Sequence, residues 1–151
     1  MGNLLSEEVK ITQVVDQSEG AAGATDINGD GVDMNGFEGV MFVAIMGPIT
    51  SGAVTSLKAQ QDTASDFSDD AQDLAGTGIT IADDDDEQVF VLDIWRPLDR
   101  YVRPVIERAT QNATVQSVLA VQYGPRELPT EFAVADLINY EAHVSPAEGT
   151  A

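Results

Sequence analysis

Apolar, β-branched runs of six to nine residues recur roughly every 10–18 residues along this chain, and no amphipathic stretch of ten residues or more lies between them. Runs of that length, bounded by Pro, Gly and Asn, predict β-strands, and their even spacing predicts an all-β sandwich or barrel. The densest part is Gln88–Pro129. There Val89–Ile94 is followed by the turn Arg96-Pro97-Leu98-Asp99. Tyr101–Arg108 leads to a second turn at Thr110-Gln111-Asn112, and Val115–Tyr123 is stopped by Gly124-Pro125.

Upstream, Lys10–Asp16 has the β-branched content of a first strand, and Thr77–Ile81 that of a short one. Phe37–Met46 is apolar on both alternating faces, which predicts a central strand covered on both sides and ended by Gly47-Pro48. Ala53–Gln60 alternates, with Thr55, Leu57 and Ala59 on one face, as a half-exposed strand does. Two helical signals are slight: Ser68 as the cap of one turn at Asp69–Leu74, and an i, i+3, i+4 pattern at Phe132–Ile138. Gln17–Gly31 reads as a long loop rich in Gly, Ala and Asp. The expected architecture is a jelly-roll-like β-sandwich, all-β, in one domain over 9–129. An N-terminal arm (1–8) and a C-terminal tail (130–151) flank it.

Composition narrows the function. With 26 acidic against 7 basic residues the formal charge is −19. Such a surface repels nucleic acid and anionic membrane, so neither is an expected partner. There is no cysteine, which excludes disulfides, thiolate metal sites and cysteine nucleophiles. The longest apolar stretch, Val40–Met46, is too short to cross a bilayer, and no signal-peptide pattern is present. The expectation is a soluble protein.

Catalytic signals are weak. A hydrolase dyad needs two carboxylates singled out from the rest, and nothing marks a pair among 26. His143 is the lone histidine, in the tail beside Pro146 and Gly149, and lacks a convincing serine or acid context. No Gly-rich phosphate loop lies between a strand and a helix. Asp26-Ile27-Asn28-Gly29-Asp30-Gly31 matches the opening of an EF-hand loop, but its twelfth position is Phe37, with Glu38 one place late. The same residues form flexible turns without metal. The chain is therefore read as a non-enzyme with no cofactor and no metal. A calcium-dependent binding module through Asp26, Asn28 and Asp30 is an alternative.

The arginines carry more. Five of the seven basic residues fall in Gln88–Pro129, and Arg96, Arg100 and Arg103 lie within eight positions. Their ordinary role is pairing with the chain's own carboxylates. The competing role is at an interface, where Arg and Tyr are favoured. The candidate interface residues are Arg96, Arg100, Tyr101, Arg103 and Arg126. Trp95, the only tryptophan, is expected in the core.

Three phrases carry a family likeness: VDMNGFEGVMFVAIMGPITSGAVTSLKAQQ (Val32–Gln61), DLAGTGITIADDDD (Asp73–Asp86) and RPLDRYVRPVIERATQNATVQSVLAVQYGPRELP (Arg96–Pro129). Over roughly Val32–Pro129 the chain resembles small virion proteins encoded near the major capsid gene of tailed phages. The resemblance implies a head decoration, or cement, protein. Such a protein would be β-rich and commonly a homotrimer, bound to the major capsid protein on the capsid surface. It offers no catalytic residues. A tail-tube or head–tail joining protein of the virion is the alternative of the same kind.

Overall fold

The structure, a computed structural model, describes residues 4–130, 141–143 and 147–149. After a single helical turn, α1 (Leu5–Glu8), the strands are β1 (Lys10–Val15), β2 (Ile27–Asn28), β3 (Val32–Asp33), β4 (Gly39–Ile49), β5 (Val54–Asp62), β6 (Gln72–Asp73), β7 (Ile79–Ile81), β8 (Val89–Trp95), β9 (Tyr101–Ala109) and β10 (Ala113–Tyr123). They form two antiparallel sheets. One has the order β1-β10-β4-β8. The other has the order β2-β9-β5-β6, with β3 also on β9 and β7 also on β5. The fold is an all-β sandwich, as the strand spacing predicts.

The core follows from period-two alternation. In β4, Val40, Phe42, Ala44 and Met46 point inward and are fully buried. They meet Val118 and Ala120 of β10 and Leu92 and Ile94 of β8, and from the facing sheet Leu57, Ala59, Val102 and Ile106. Thr55, Leu57 and Ala59 all face inward, as their alternation requires. The other face of β4 departs from expectation. Met41, Val43 and Ile45 are only partly covered, so the strand is central in its sheet but not sealed on both sides.

Two prolines show how the ladders accommodate a missing N–H. β4 runs through Gly47-Pro48 to Ile49 instead of stopping. The register with β10 shifts between Ala113↔Ile49 and Val115↔Met46, so the extra residue on β4 is a bulge that contains Pro48. Pro104 lies inside β9, which is paired on both sides. Its carbonyl accepts from Gly29 N–H at 2.9 Å, so its nitrogen faces the same way, toward the break between β2 and β3. No ladder bond to β5 is lost. A Cβ on Gly29 would sit 2.8 Å from Pro104 Cγ, and one on Gly31 2.3 Å from Phe67 Cε2. The glycines in this segment serve close approach.

Three other expectations change. Residues 62–78 hold no helix. Ser68 Oγ donates to Asp66 Oδ1 at 2.6 Å, and the segment is organised by buried Asp62, which accepts the amides of Ala64 (3.0 Å) and Asp70 (3.3 Å). The described part of the N-terminal arm is tied down: Thr130 N–H donates to Glu7 O at 2.9 Å, and Thr130 Oγ1 to Val9 O at 2.7 Å. The loop 17–31 is pinned rather than free, as its bonds to Arg108 show below. The helical reading of Phe132–Ile138 lies outside the described residues.

Candidate functional site

One end of the sandwich gathers three of the five candidate interface residues. The turn after β8, the segment between β3 and β4, and the chain leaving β10 enclose an open groove of about 610 Å³, in which Arg96, Arg100 and Arg126 meet beside Phe37 and Leu98. The β8–β9 turn is set by Arg96 in the left-handed region (φ 52°). Arg96 N–H donates to Glu38 O at 2.8 Å, and the amides of Leu98 and Asp99 both donate to Gln61 Oε1, at 3.1 and 3.3 Å. That clamp leaves the Leu98 side chain 91% exposed.

The arginines differ in how far they are engaged. Arg96 Nε donates to Glu38 Oε2 at 2.7 Å, and its guanidinium lies 5.3 Å from the Trp95 ring centroid. Arg100 forks onto Asp33 through Nε (2.9 Å) and Nη2 (2.8 Å) and lies 5.3 Å from the Tyr101 ring. That fork holds the Asp33 carboxyl below its ordinary range, against the opposing effect of desolvation. Arg126 is exposed, and its guanidinium makes no hydrogen bond or ion pair among the described residues. The pairing with carboxylates expected for Arg96, Arg100 and Arg103 is thus met by the first two.

Arg103 is not in the groove. It donates Nε and Nη2 to Gln60 Oε1 (3.0 and 2.8 Å) and covers the Phe67 ring at 4.4 Å, with burial pushing its pKa down. Trp95 is not in the core. It lies on the outer face of its sheet, more than half exposed, stacked on Tyr123 at 5.8 Å. Tyr123 O–H donates to Asp93 Oδ1 at 2.6 Å, and burial together with that carboxylate pushes the phenol up to about 12.

The acidic run Asp83–Glu87 sits at the opposite end, before β8. It is a folded loop, in which Asp86 Oδ1 accepts Ile49 N–H at 2.6 Å and Asp85 Oδ2 accepts Ala82 N–H at 2.9 Å. The EF-hand-like residues do not converge. Asp26 Oδ1 accepts the backbone N–H of Arg108 at 3.1 Å, Asn28 is in β2, and the Asp30 amide donates to Val14 O at 2.8 Å. Among the described residues no three acidic or histidine side chains are grouped to hold an ion. His143 is exposed and, among the described residues, meets Glu141 at 3.1 Å.

Arg108 lies outside the five candidate interface residues, yet it is the arginine most deeply built into the fold. It is 6% exposed and donates Nε to Thr25 O (2.7 Å) and Nη1 to Ala21 O and Ala113 O (both 2.8 Å). Period two from Val102 and Ile106 places position 108 on the buried face of β9, so its signal was present in the alternation. No protein-family model matches this chain, and neither the curated proteins nor the solved structures contain a match.

Proposed function

We propose that the chain is a non-enzymatic structural protein of a tailed-phage particle, a decoration protein that binds the major capsid protein on the outer surface of the head and stabilises the shell. The observation that carries this reading is the groove. In a chain of charge −19, three of seven basic side chains meet there beside exposed Leu98, and the Arg126 guanidinium has no partner among the described residues. An exposed aliphatic anchor flanked by arginines is how contact surfaces are built. The sheet orders support reading the sandwich as a jelly roll, since successive strands cross between sheets, an arrangement common in capsid proteins. The likeness of Val32–Pro129 to decoration proteins supports the same assignment. A weak contact suffices, because a lattice repeats it many times. The homotrimer expected of such proteins belongs to this reading.

The test is to mix the protein with expanded capsids that lack it and to image them. Occupancy of three-fold positions is expected, and the double variant Arg100→Glu/Arg126→Glu should weaken attachment at least tenfold while the melting transition stays cooperative. Unchanged attachment of that variant removes the groove from the contact. Rings or tubes in isolation, with no binding to heads, would move the assignment to the tail or the joining region.

A further inference from the structure

The free edge of β8 and its flanking charges carry a second contact, one that does not depend on the decoration reading. Among the described residues β8 pairs only with β4. Arg96 N–H donates to Glu38 O and Met46 N–H to Gln88 O, so even-numbered residues aim their peptide groups at β4. The odd ones, Val89, Val91, Asp93 and Trp95, therefore aim theirs outward. The same residues present their side chains on the outer face, where Val89 is 56%, Val91 49% and Trp95 57% exposed. Their neighbours on that face are the half-covered Val43 and Ile45 of β4.

Edge strands are normally blunted by Pro, Lys, a bulge or brevity. β8 has none of these: it is seven residues long and in unbroken register with β4. Its only charge is Asp93, already engaged by Tyr123. In an acidic chain this edge, whose one carboxylate is already bonded to Tyr123, is where two copies meet with least repulsion.

We propose that β8 pairs antiparallel with β8 of a second copy about a two-fold axis, joining the two outer sheets into one. The flanking charges fix the occupant. Asp83–Glu87 precedes the strand and Arg96 follows it, so antiparallel pairing sets the basic end of each copy against the acidic end of the other. The register centred on Leu92 places Val89 opposite Trp95 of the second copy, a favourable β-branched and aromatic pair. It also makes the outward peptide groups the bonded ones. The slip that would set Asp93 against its own copy is disfavoured by like charge. Whether each copy is single or already part of a larger ring, the contact doubles it.

The absence of native cysteine makes the register testable by cross-linking. A mixture of Val89→Cys and Trp95→Cys proteins should form a disulfide dimer under mild oxidant, because bonded antiparallel pairs have Cα atoms about 5.5 Å apart. Either variant alone should not. The wild-type solution mass should be an even multiple of the chain mass, and Val91→Asp, which sets a second carboxylate opposite Asp93 of the other copy, should halve it. Val91→Pro provides the control for folding: it removes one outward N–H and leaves the β4 ladder intact, so it should also halve the mass while keeping a cooperative melt. An odd multiple for the wild type, a mass unchanged in both variants, or no cross-link in the mixture overturns the proposal. Capsid attachment is scored separately, so its failure leaves this result standing.

Discussion

Truncating Arg108 to alanine tests whether one buried guanidinium holds the 17–31 loop to the sandwich. The side chain makes three charge-assisted bonds to backbone carbonyls, each worth about 1.5–3 kcal/mol net. Their sum is an upper bound, because burial already disfavours the cation, as the downward push on its pKa shows. The orphaned carbonyls do not all stay dry. Ala21 and Thr25 belong to exposed residues that water can reach, and Ala113 O keeps the Gly23 N–H at 3.3 Å. The expected loss is therefore about 3 kcal/mol, or about 6–12 °C in melting temperature for a domain of this size. Urea melts give the energy, and amide exchange gives the location. Protection should fall first at Ala113 and Val115, whose N–H groups bond Gly23 O (2.9 Å) and Gly20 O (2.8 Å). Arg108→Lys keeps the charge but cannot reach three carbonyls, so it should recover less than half of the loss. A loss below about 1 kcal/mol in the alanine variant, or full recovery with lysine, refutes the bridging role.

Thr55 Oγ1 is buried with no hydrogen-bond partner among the described residues, so Thr55→Val, of nearly the same shape, should stabilise by about 1 kcal/mol; a loss of that size in a urea melt would mean the hydroxyl is satisfied. Bonds from backbone amides, Ala64 N–H foremost, hold the Asp62 carboxyl low. Its contribution is thus complete above the unfolded value near pH 4 and is lost as pH falls through the lower folded value. Asp62→Asn should therefore destabilise at pH 7 and much less at pH 2, and an equal difference at both would contradict this. Tyr123 should titrate at about 12 by ultraviolet absorbance, and Asp93→Asn should bring it down. A Tyr123 midpoint at the ordinary phenol value of about 10 would rule out the Asp93 bond. Gly29→Ala should cost about 1–3 kcal/mol through overlap with Pro104, and an unchanged melt would show that the strand break gives way freely.

Strand positions were legible because alternation and punctuation agree. Predicted Val89–Ile94, Tyr101–Arg108 and Val115–Tyr123 differ from β8, β9 and β10 by two residues or fewer at any end. The misses have separate physical causes. Gly47-Pro48 reads as a stop, yet a bulge absorbs a proline that makes no ladder bond. The two-residue strands β2, β3 and β6 are too short to show a period, and they form because β9 and β5 offer free edges. Asp26–Gly31 resembles a calcium loop because both need carboxylates and glycines in a tight segment. Here the glycines make room for Pro104 and Phe67, and Asp26 caps the Arg108 amide. At the groove, Arg96, Arg100 and Arg126 could be named from a charge count, but their meeting depends on three segments far apart in sequence. Arg103, only three positions from Arg100, went to a different place because β9 directs it across to Gln60.

In β8 the pattern of the sequence and the exposure of the folded chain part company. A strand largely apolar on both faces, as β8 is apart from Asp93, is ordinarily buried within its own fold, and the core position expected for Trp95 is likewise not met. The alternation reports only that both faces are to be removed from water, and it does not say by which molecule. When such a strand falls at a sheet edge with its outer residues half exposed, the sequence pattern and the single-chain structure disagree. The simplest reconciliation is a cover supplied from outside the chain. The placement of Asp83–Glu87 at one end of β8 and Arg96 at the other makes that cover directional. It favours an antiparallel neighbour with the reverse charge order, and another copy of this chain has that order.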